Sequence, residues 1–353
     1  MKKKHILPLL LIIQIFAIKI LGHFPGIVEK YYSSGLYLTI SKILRILIGW
    51  IPFSFGDVVY TALVLVILKW FYKKRKTWKT AWKENLLKSC SFISALYFTF
   101  HFFWAFNYYR QPINIALDIG REYTLKELQD LTLRLITKTN AIQREITRDT
   151  ALKVIFPYSR DAIYSKSLNG YSQLAITHRQ FTYTNPSIKG SLYSLPLTYM
   201  GFSGYLNPFT GEAQVNDKMP LYQFPVTVCH EMAHQLGYAS ESEANFIGFL
   251  SSKSNTDIYF QYAAYSFALR YCLNTLEKAQ PGSISKLHPL INKGILENYK
   301  DSREFWAQYE SFVETGFKLF YDRYLKMNQQ KDGLEGYSRF VELLVNYYKN
   351  KSL

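Results

Sequence analysis

Three apolar runs fall within the first 110 residues: Ile6 to Leu21, roughly Ile51 to Tyr72, and roughly Cys90 to Tyr109. Each is close to the ~20 residues a helix needs to cross a bilayer, which predicts about three transmembrane helices over 6–21, 51–72 and 90–109. Lys2-Lys3-Lys4 precedes the first run, as in a signal peptide. However, no small-x-small cleavage site follows before Lys19, Gly22, His23 and Phe24, so an uncleaved span is expected. Between the first two runs, Ile40, Ile43, Leu44 and Leu47 form one helical stripe within Leu36 to Trp50. A helix at the membrane interface and a short packed helix both fit that stripe.

Charge orients these runs. The chain carries 42 Lys+Arg against 26 Asp+Glu, a net charge of +16. The densest cluster, Lys73-Lys74-Arg75-Lys76 with Lys79, Lys83 and Lys88, lies between the second and third runs. Loops held on the cytoplasmic side collect Lys and Arg, and no nucleic-acid-binding motif competes for the charge. The expected partner is therefore a lipid bilayer and not nucleic acid. With Lys2–Lys4 and the Lys73–Lys88 loop both cytoplasmic, the third crossing places everything after about Arg110 outside. A membrane anchor over 1–110 and an extracytoplasmic domain over 111–353 follow.

Beyond Arg110 the longest apolar run, Ile258 to Leu273, is interrupted by Gln261, Ser266 and Arg270 and reads as a buried amphipathic helix. Helical spacing also predicts helices over Leu125–Ile146, Thr256–Lys278, Arg303–Met327 and Leu334–Lys349. Val226–Leu236 is bracketed by Pro225 at its start and Gly237 just past its end. A further helix starts near Ser240, where Ser240 and Glu243 have capping-box spacing. Ser191–Asn216 mixes β-branched and aromatic residues with Pro196, Gly201, Gly204, Pro208 and Gly211, which predicts short strands and turns. Cys90 falls in an apolar run; Cys229 and Cys272 read as small buried hydrophobes rather than a disulfide.

The chemistry lies at His230-Glu231-Met232-Ala233-His234. Two histidines four apart leave one helical face one turn apart, so both ring nitrogens reach a single Zn²⁺ at about 2.0–2.1 Å. Glu231 lies beside them as the general base of the HExxH arrangement. A catalytic zinc needs a third protein ligand, and Glu241 and Glu243 both follow the turn. Glu241 is the expected metal ligand, with Asn245 one turn later placed to hydrogen-bond a ligand histidine; Glu243 is the alternative, or closes the cap. Ser240 stands where a metzincin would carry its third histidine.

His230–Gly237 followed by Glu241-Ser242-Glu243-Ala244-Asn245-Phe246 resembles an uncharacterised bacterial family of membrane-anchored, zinc-metallopeptidase-like proteins, with short N-terminal spans and then a peptidase-like domain. Glu241–Asn245 also resembles the ExxAD third-ligand motif of integral-membrane gluzincins of the prenyl-protein protease kind, with Asn245 in place of the aspartate. The resemblance implies a membrane protein with N-terminal transmembrane helices followed by an α-rich α+β zincin-like domain with a small sheet. It implies a zinc peptidase of the bacterial cytoplasmic membrane, acting on membrane or envelope proteins, with His230, His234 and Glu241 on the metal and Glu231 catalytic. Tyr238, His288, Tyr337 and Arg339 are candidates for stabilising an oxyanion. Gly204–Phe209 reads either as an edge strand for an extended peptide or as a hairpin of the core sheet. The competing reading is a sensory or binding membrane protein with a structural or vestigial zinc site.

Overall fold

The computed structural model describes residues 5–328 and 337–353. It is built largely from helices, with one small sheet, and its apolar N-terminal helices pack directly against the rest of the chain.

Helix α1, Ile6–Leu21, bends by 96° at a short break into the helical run α2, Pro25–Ile48. Pro25 opens that run, as proline does at a first helical turn, and its segment Val28–Leu36 is wound as a π-helix. Then come α3, Phe55–Lys74, and α4, Trp82–Phe103. Both are long and apolar enough to cross a membrane, and the bent α1–α2 pair passes the same test together. The third apolar helix thus begins and ends earlier than the expected 90–109. Its polar first turns are helical from Trp82, and Trp104, at φ −151°, breaks it before a 3₁₀ turn over Ala105–Tyr109.

One face of α2 packs on the helix that carries His230 and His234, through Tyr37 and Ser41. Its other face leaves Ile43, Ile46, Leu47 and Trp50 exposed. The run is thus packed on one face and presents an apolar outer face on the other.

The remaining long helices are α5 (Leu125–Thr147), α6 (Arg160–Thr177), α7 (Phe224–Gln235), α8 (Glu241–Ser254), α9 (Ile258–Ala279), α10 (Lys293–Ala307), α11 (Phe312–Met327) and α12 (Tyr337–Tyr348). Thr124 and Glu127 close a capping box at the start of α5. The helix expected over Arg303–Met327 is two, because Ser311 caps a new helix, accepting from the Glu314 N–H. Helix α12 begins at Tyr337, and 334–336 lie outside the described residues. Around α7 and α8 the core is dense with aromatics: Phe224, Phe246, Phe249 and Phe260 are fully buried, each contributing on the order of 1.5–3 kcal/mol. Cys229 and Cys272 are buried free thiols.

Strands β1 (Ile188–Gly190), β2 (Gly204–Leu206) and β3 (Ala213–Val215) form a sheet in the order β1-β3-β2, β1 parallel and β2 antiparallel to β3. The sheet is clamped to the membrane-type helices by one buried ion pair, Lys189 with Glu212 at 2.6 Å. The Lys189 ammonium also donates to the Ile48 carbonyl at the end of α2. Glu212 accepts from the Phe55 and Gly56 N–H groups at the start of α3. Cation on a helix C-terminus and carboxylate on a helix N-terminus each satisfy orphan backbone groups and oppose the helix dipole. Asp57, also buried, accepts from Ser191, from the Leu192 N–H and from the Tyr205 hydroxyl, which ties β2 to α3.

Candidate metal centre

The local fold at the site follows from three residues. Pro225 starts α7 and Gly237 ends it at φ +85°, a conformation a residue with a Cβ adopts only at a cost. That turn brings the Tyr238 carbonyl back under His234, whose Nδ1 donates to it at 2.6 Å. Gly248 of α8 lies against the His230 backbone, where a Cβ would come within 3.0 Å of its nitrogen. The close approach of α7 and α8 carries Glu241 and Asn245 to the histidines.

His230 Nδ1 meets Asn245 Oδ1 at 2.9 Å. Both Nδ1 atoms thus face acceptors and carry the ring protons, which leaves each Nε2 with an outward lone pair. Those two Nε2 atoms lie 3.0 Å apart. Glu241 stands beside them, with oxygens 3.4 Å from His230 Nε2 and 3.9 Å from His234 Nε2. Two lone pairs and a carboxylate converging on one point repel unless a proton or a metal cation sits among them. Two nitrogens on one tetrahedral zinc lie roughly 3.3–3.4 Å apart, so the rings need to open by only a few tenths of an ångström. The donor set fits a divalent metal of zinc's preferences.

The titration behaviour of the cluster follows the same logic. Burial pulls His230 down, but Glu241 and Glu231 outweigh it and hold its pKa above the ordinary imidazole value. Burial and the neighbouring His230 lower His234 to about 4. Burial pushes Glu241 up, yet the two histidines and the Tyr321 hydroxyl bring it down to about 2. Burial drives Glu231 up to about 8, the range in which a carboxylate can both take and return a proton. Glu231 Oε2 is buried and has no hydrogen-bond partner among the described residues. His230, Glu231 and His234 form a tight group with ligand atoms within 4.8 Å of one another.

Glu243 is turned elsewhere. It accepts the Ile113 N–H at 2.7 Å and faces Arg110 and Arg339, so it fixes the segment after α4. Ser240 makes no side-chain cap bond, and the capping box expected of Ser240 and Glu243 does not form. Glu241→Gln should therefore weaken metal binding in a zinc titration, whereas Glu243→Gln should leave affinity near wild type and lower stability by about 1–3 kcal/mol through its buried bond to Ile113. The reverse pattern would move the ligand to Glu243.

The site opens into a cleft of about 1370 Å³. Strand β2 forms one wall and is the edge of the sheet, so Gly204–Leu206 lies along the cleft beside Glu231. At Gly204 a Cβ would come within 2.6 Å of Glu231 Oε1, so only glycine lets the strand approach the carboxylate this closely. Arg270 and Arg303 line another part of the cleft, and α11 covers it. From α11, Tyr321 donates its hydroxyl to Glu241 at 2.7 Å. Trp104 sets its ring edge-to-face against His234. No spacing in the sequence links Tyr321 or Trp104 to the motif; both arrive through tertiary packing. Of the expected oxyanion donors, Tyr238 stacks under Arg110, His288 lies in the 3₁₀ turn His288–Leu290 and Arg339 lies on α12. None of these three lines the cleft, and the Tyr337 side chain lies outside the described residues.

Fold and site define a helix-rich protein with membrane-type N-terminal helices and a buried His-Glu-His cluster facing a cleft. The chain belongs to the family described as "Protein of unknown function (DUF3810)", whose model matches residues 32–345. No curated protein and no solved structure matches it.

Proposed function

We propose that the protein is a membrane-anchored, zinc-dependent peptidase held in the bacterial cytoplasmic membrane, with its active-site cleft outside the cytoplasm. The observation that carries this reading is the convergence of two Nδ1-protonated histidines and Glu241 on one point, with a partnerless, proton-hungry Glu231 beside it. His230, His234 and Glu241 would hold the zinc. When bound, zinc supplies Lewis acidity that acidifies water and polarises a carbonyl.

This chain's own residues do the rest. Asn245 and the Tyr238 carbonyl fix the imidazoles, and Tyr321 fixes Glu241. The free edge of β2 offers backbone groups to an extended peptide, laying its carbonyl next to Glu231. Glu231 then takes a proton from the attacking water and returns it to the departing amine. His230→Ala or His234→Ala should abolish stoichiometric zinc in purified protein, read by elemental analysis; full retention in both would sink the site.

Orientation is proposed from charge. Helices α3 and α4 place Lys73–Lys88 at their far ends from the cleft, and that basic loop belongs on the cytoplasmic side. In cells whose envelope admits an impermeant thiol reagent, Lys79→Cys should resist labelling. Glu304→Cys, at an exposed position of α10, should react. The opposite pattern would put the cleft in the cytoplasm.

A further inference from the structure

Helix α11 is apolar on two faces. Its inner face carries Tyr321, which holds Glu241, together with Tyr324 and Leu325, which pack beneath it. Its outer face exposes Phe312 (88%), Leu319 (60%) and Met327 (81%), with Phe320 (65%) beside them also lining the cleft. These recur at i, i+7, i+8 and i+15, so they form one stripe along the helix. Exposed Arg323 falls within this stripe, so the face is amphipathic, with large apolar side chains around one cation.

The level of α11 in the molecule indicates what covers the stripe. Tyr324 stacks near Phe100 of α4, with ring centroids 6.4 Å apart, and its hydroxyl lies 3.3 Å from that of Tyr108. Leu325 is buried in the same cluster as Ile18 of α1. Phe100 and Ile18 are each one turn from the cleft-side end of an apolar helix, about 4.5 Å along the axis. The C-terminal turn of α11 therefore lies at the depth where those helices leave the hydrocarbon. Arg323 stands among the apolar positions as a cation does on an interfacial helix, while Lys318 and Lys326 pair with Glu314 and Asp322 of the same helix.

We propose that the outer face of α11 rests in the headgroup region of the bilayer, and that the cleft it covers opens at the membrane surface. Tyr60 of α3 and Phe100 of α4 line the same cleft, so its floor is continuous with the apolar helices. One consequence rests on the peptidase reading above: the peptide it accepts is the segment of a membrane-anchored protein just outside the bilayer. The lipid contact itself does not depend on metal or on catalysis.

The test uses full-length protein, with Cys90→Ala, in vesicles of phosphatidylethanolamine and phosphatidylglycerol. Nitroxide labels are attached at Leu319→Cys and, separately, at Met327→Cys. Both labels should collide with oxygen several-fold more than with a water-soluble nickel chelate, and a label at Glu304→Cys should show the reverse. Nickel-dominated relaxation at both stripe positions would overturn the proposal by placing the stripe in water. Dipolar broadening between labels on two molecules would overturn it in favour of a second copy of the chain. Neither readout involves zinc or turnover, so failure here is distinct from failure of the peptidase reading.

Discussion

Glu231→Gln protein should fold and bind zinc as the wild type does, while its peptide hydrolysis falls roughly 10²–10⁴-fold. Glutamine keeps the size and hydrogen-bonding capacity of the side chain and removes only its ability to take a proton. The buried, partnerless Oε2 makes no bond whose loss would loosen the fold. The change also removes a carboxylate whose burial raises its pKa to about 8, so it relieves a desolvation cost rather than adding one. Zinc content, thermal unfolding and turnover of a verified membrane-anchored substrate together decide the matter. Equal turnover would remove Glu231 from the chemistry. Loss of zinc would instead make Glu231 a ligand, as its place in the His-Glu-His group geometrically permits. If no substrate is cleaved by either protein although zinc is bound, the sensory or binding reading takes precedence.

The second large effect is on stability. Lys189→Met should destabilise the protein by about 3–5 kcal/mol, because it leaves Glu212 buried and charged with no cation. Glu212→Leu should cost as much, since it also uncaps α3 at Phe55 and Gly56. The double variant should fall well short of the sum of the two, as residues sharing one interaction do not add. The measurement is unfolding in mild detergent, and strict additivity would mean that the pair is not coupled. By the same reasoning a fragment covering only 111–353 should not fold. It would bury Lys189 and Glu212 without the Ile48 carbonyl and the α3 N–H groups that they satisfy.

The motif and its helix were legible because both depend on neighbours in sequence. His230, Glu231 and His234 are fixed by helical spacing, and Pro225 and Gly237 set the ends. Glu241 was legible for a similar reason: the turn between α7 and α8 is short. What could not be read arrives from far along the chain. Tyr321 lies 80 residues beyond the carboxylate it holds, and Trp104 precedes His234 by 130. Helix α6 was missed because its buried residues include Ser167 and Gly170 beside Ile163, Tyr171 and Leu174, so no clean apolar stripe marks it. The division at residue 110 followed from composition, which detects where apolar runs end. It does not detect that α2 lies on α7, with Tyr37 and Ser41 bonded to the carbonyls of His234 and Gln235.

The two histidines are held by different kinds of acceptor, and inheritance should treat them differently. The partner of His230 is the Asn245 side chain, so among related chains position 245 should vary only between residues offering an oxygen there, chiefly asparagine and aspartate. The partner of His234 is a main-chain carbonyl, which survives any substitution at position 238. The burden passes instead to Gly237, whose left-handed turn aims that carbonyl. A lineage can exchange the aromatic at 238 without disturbing His234, but a side chain at 237 would turn the acceptor away and collide with Tyr37 and Asn107.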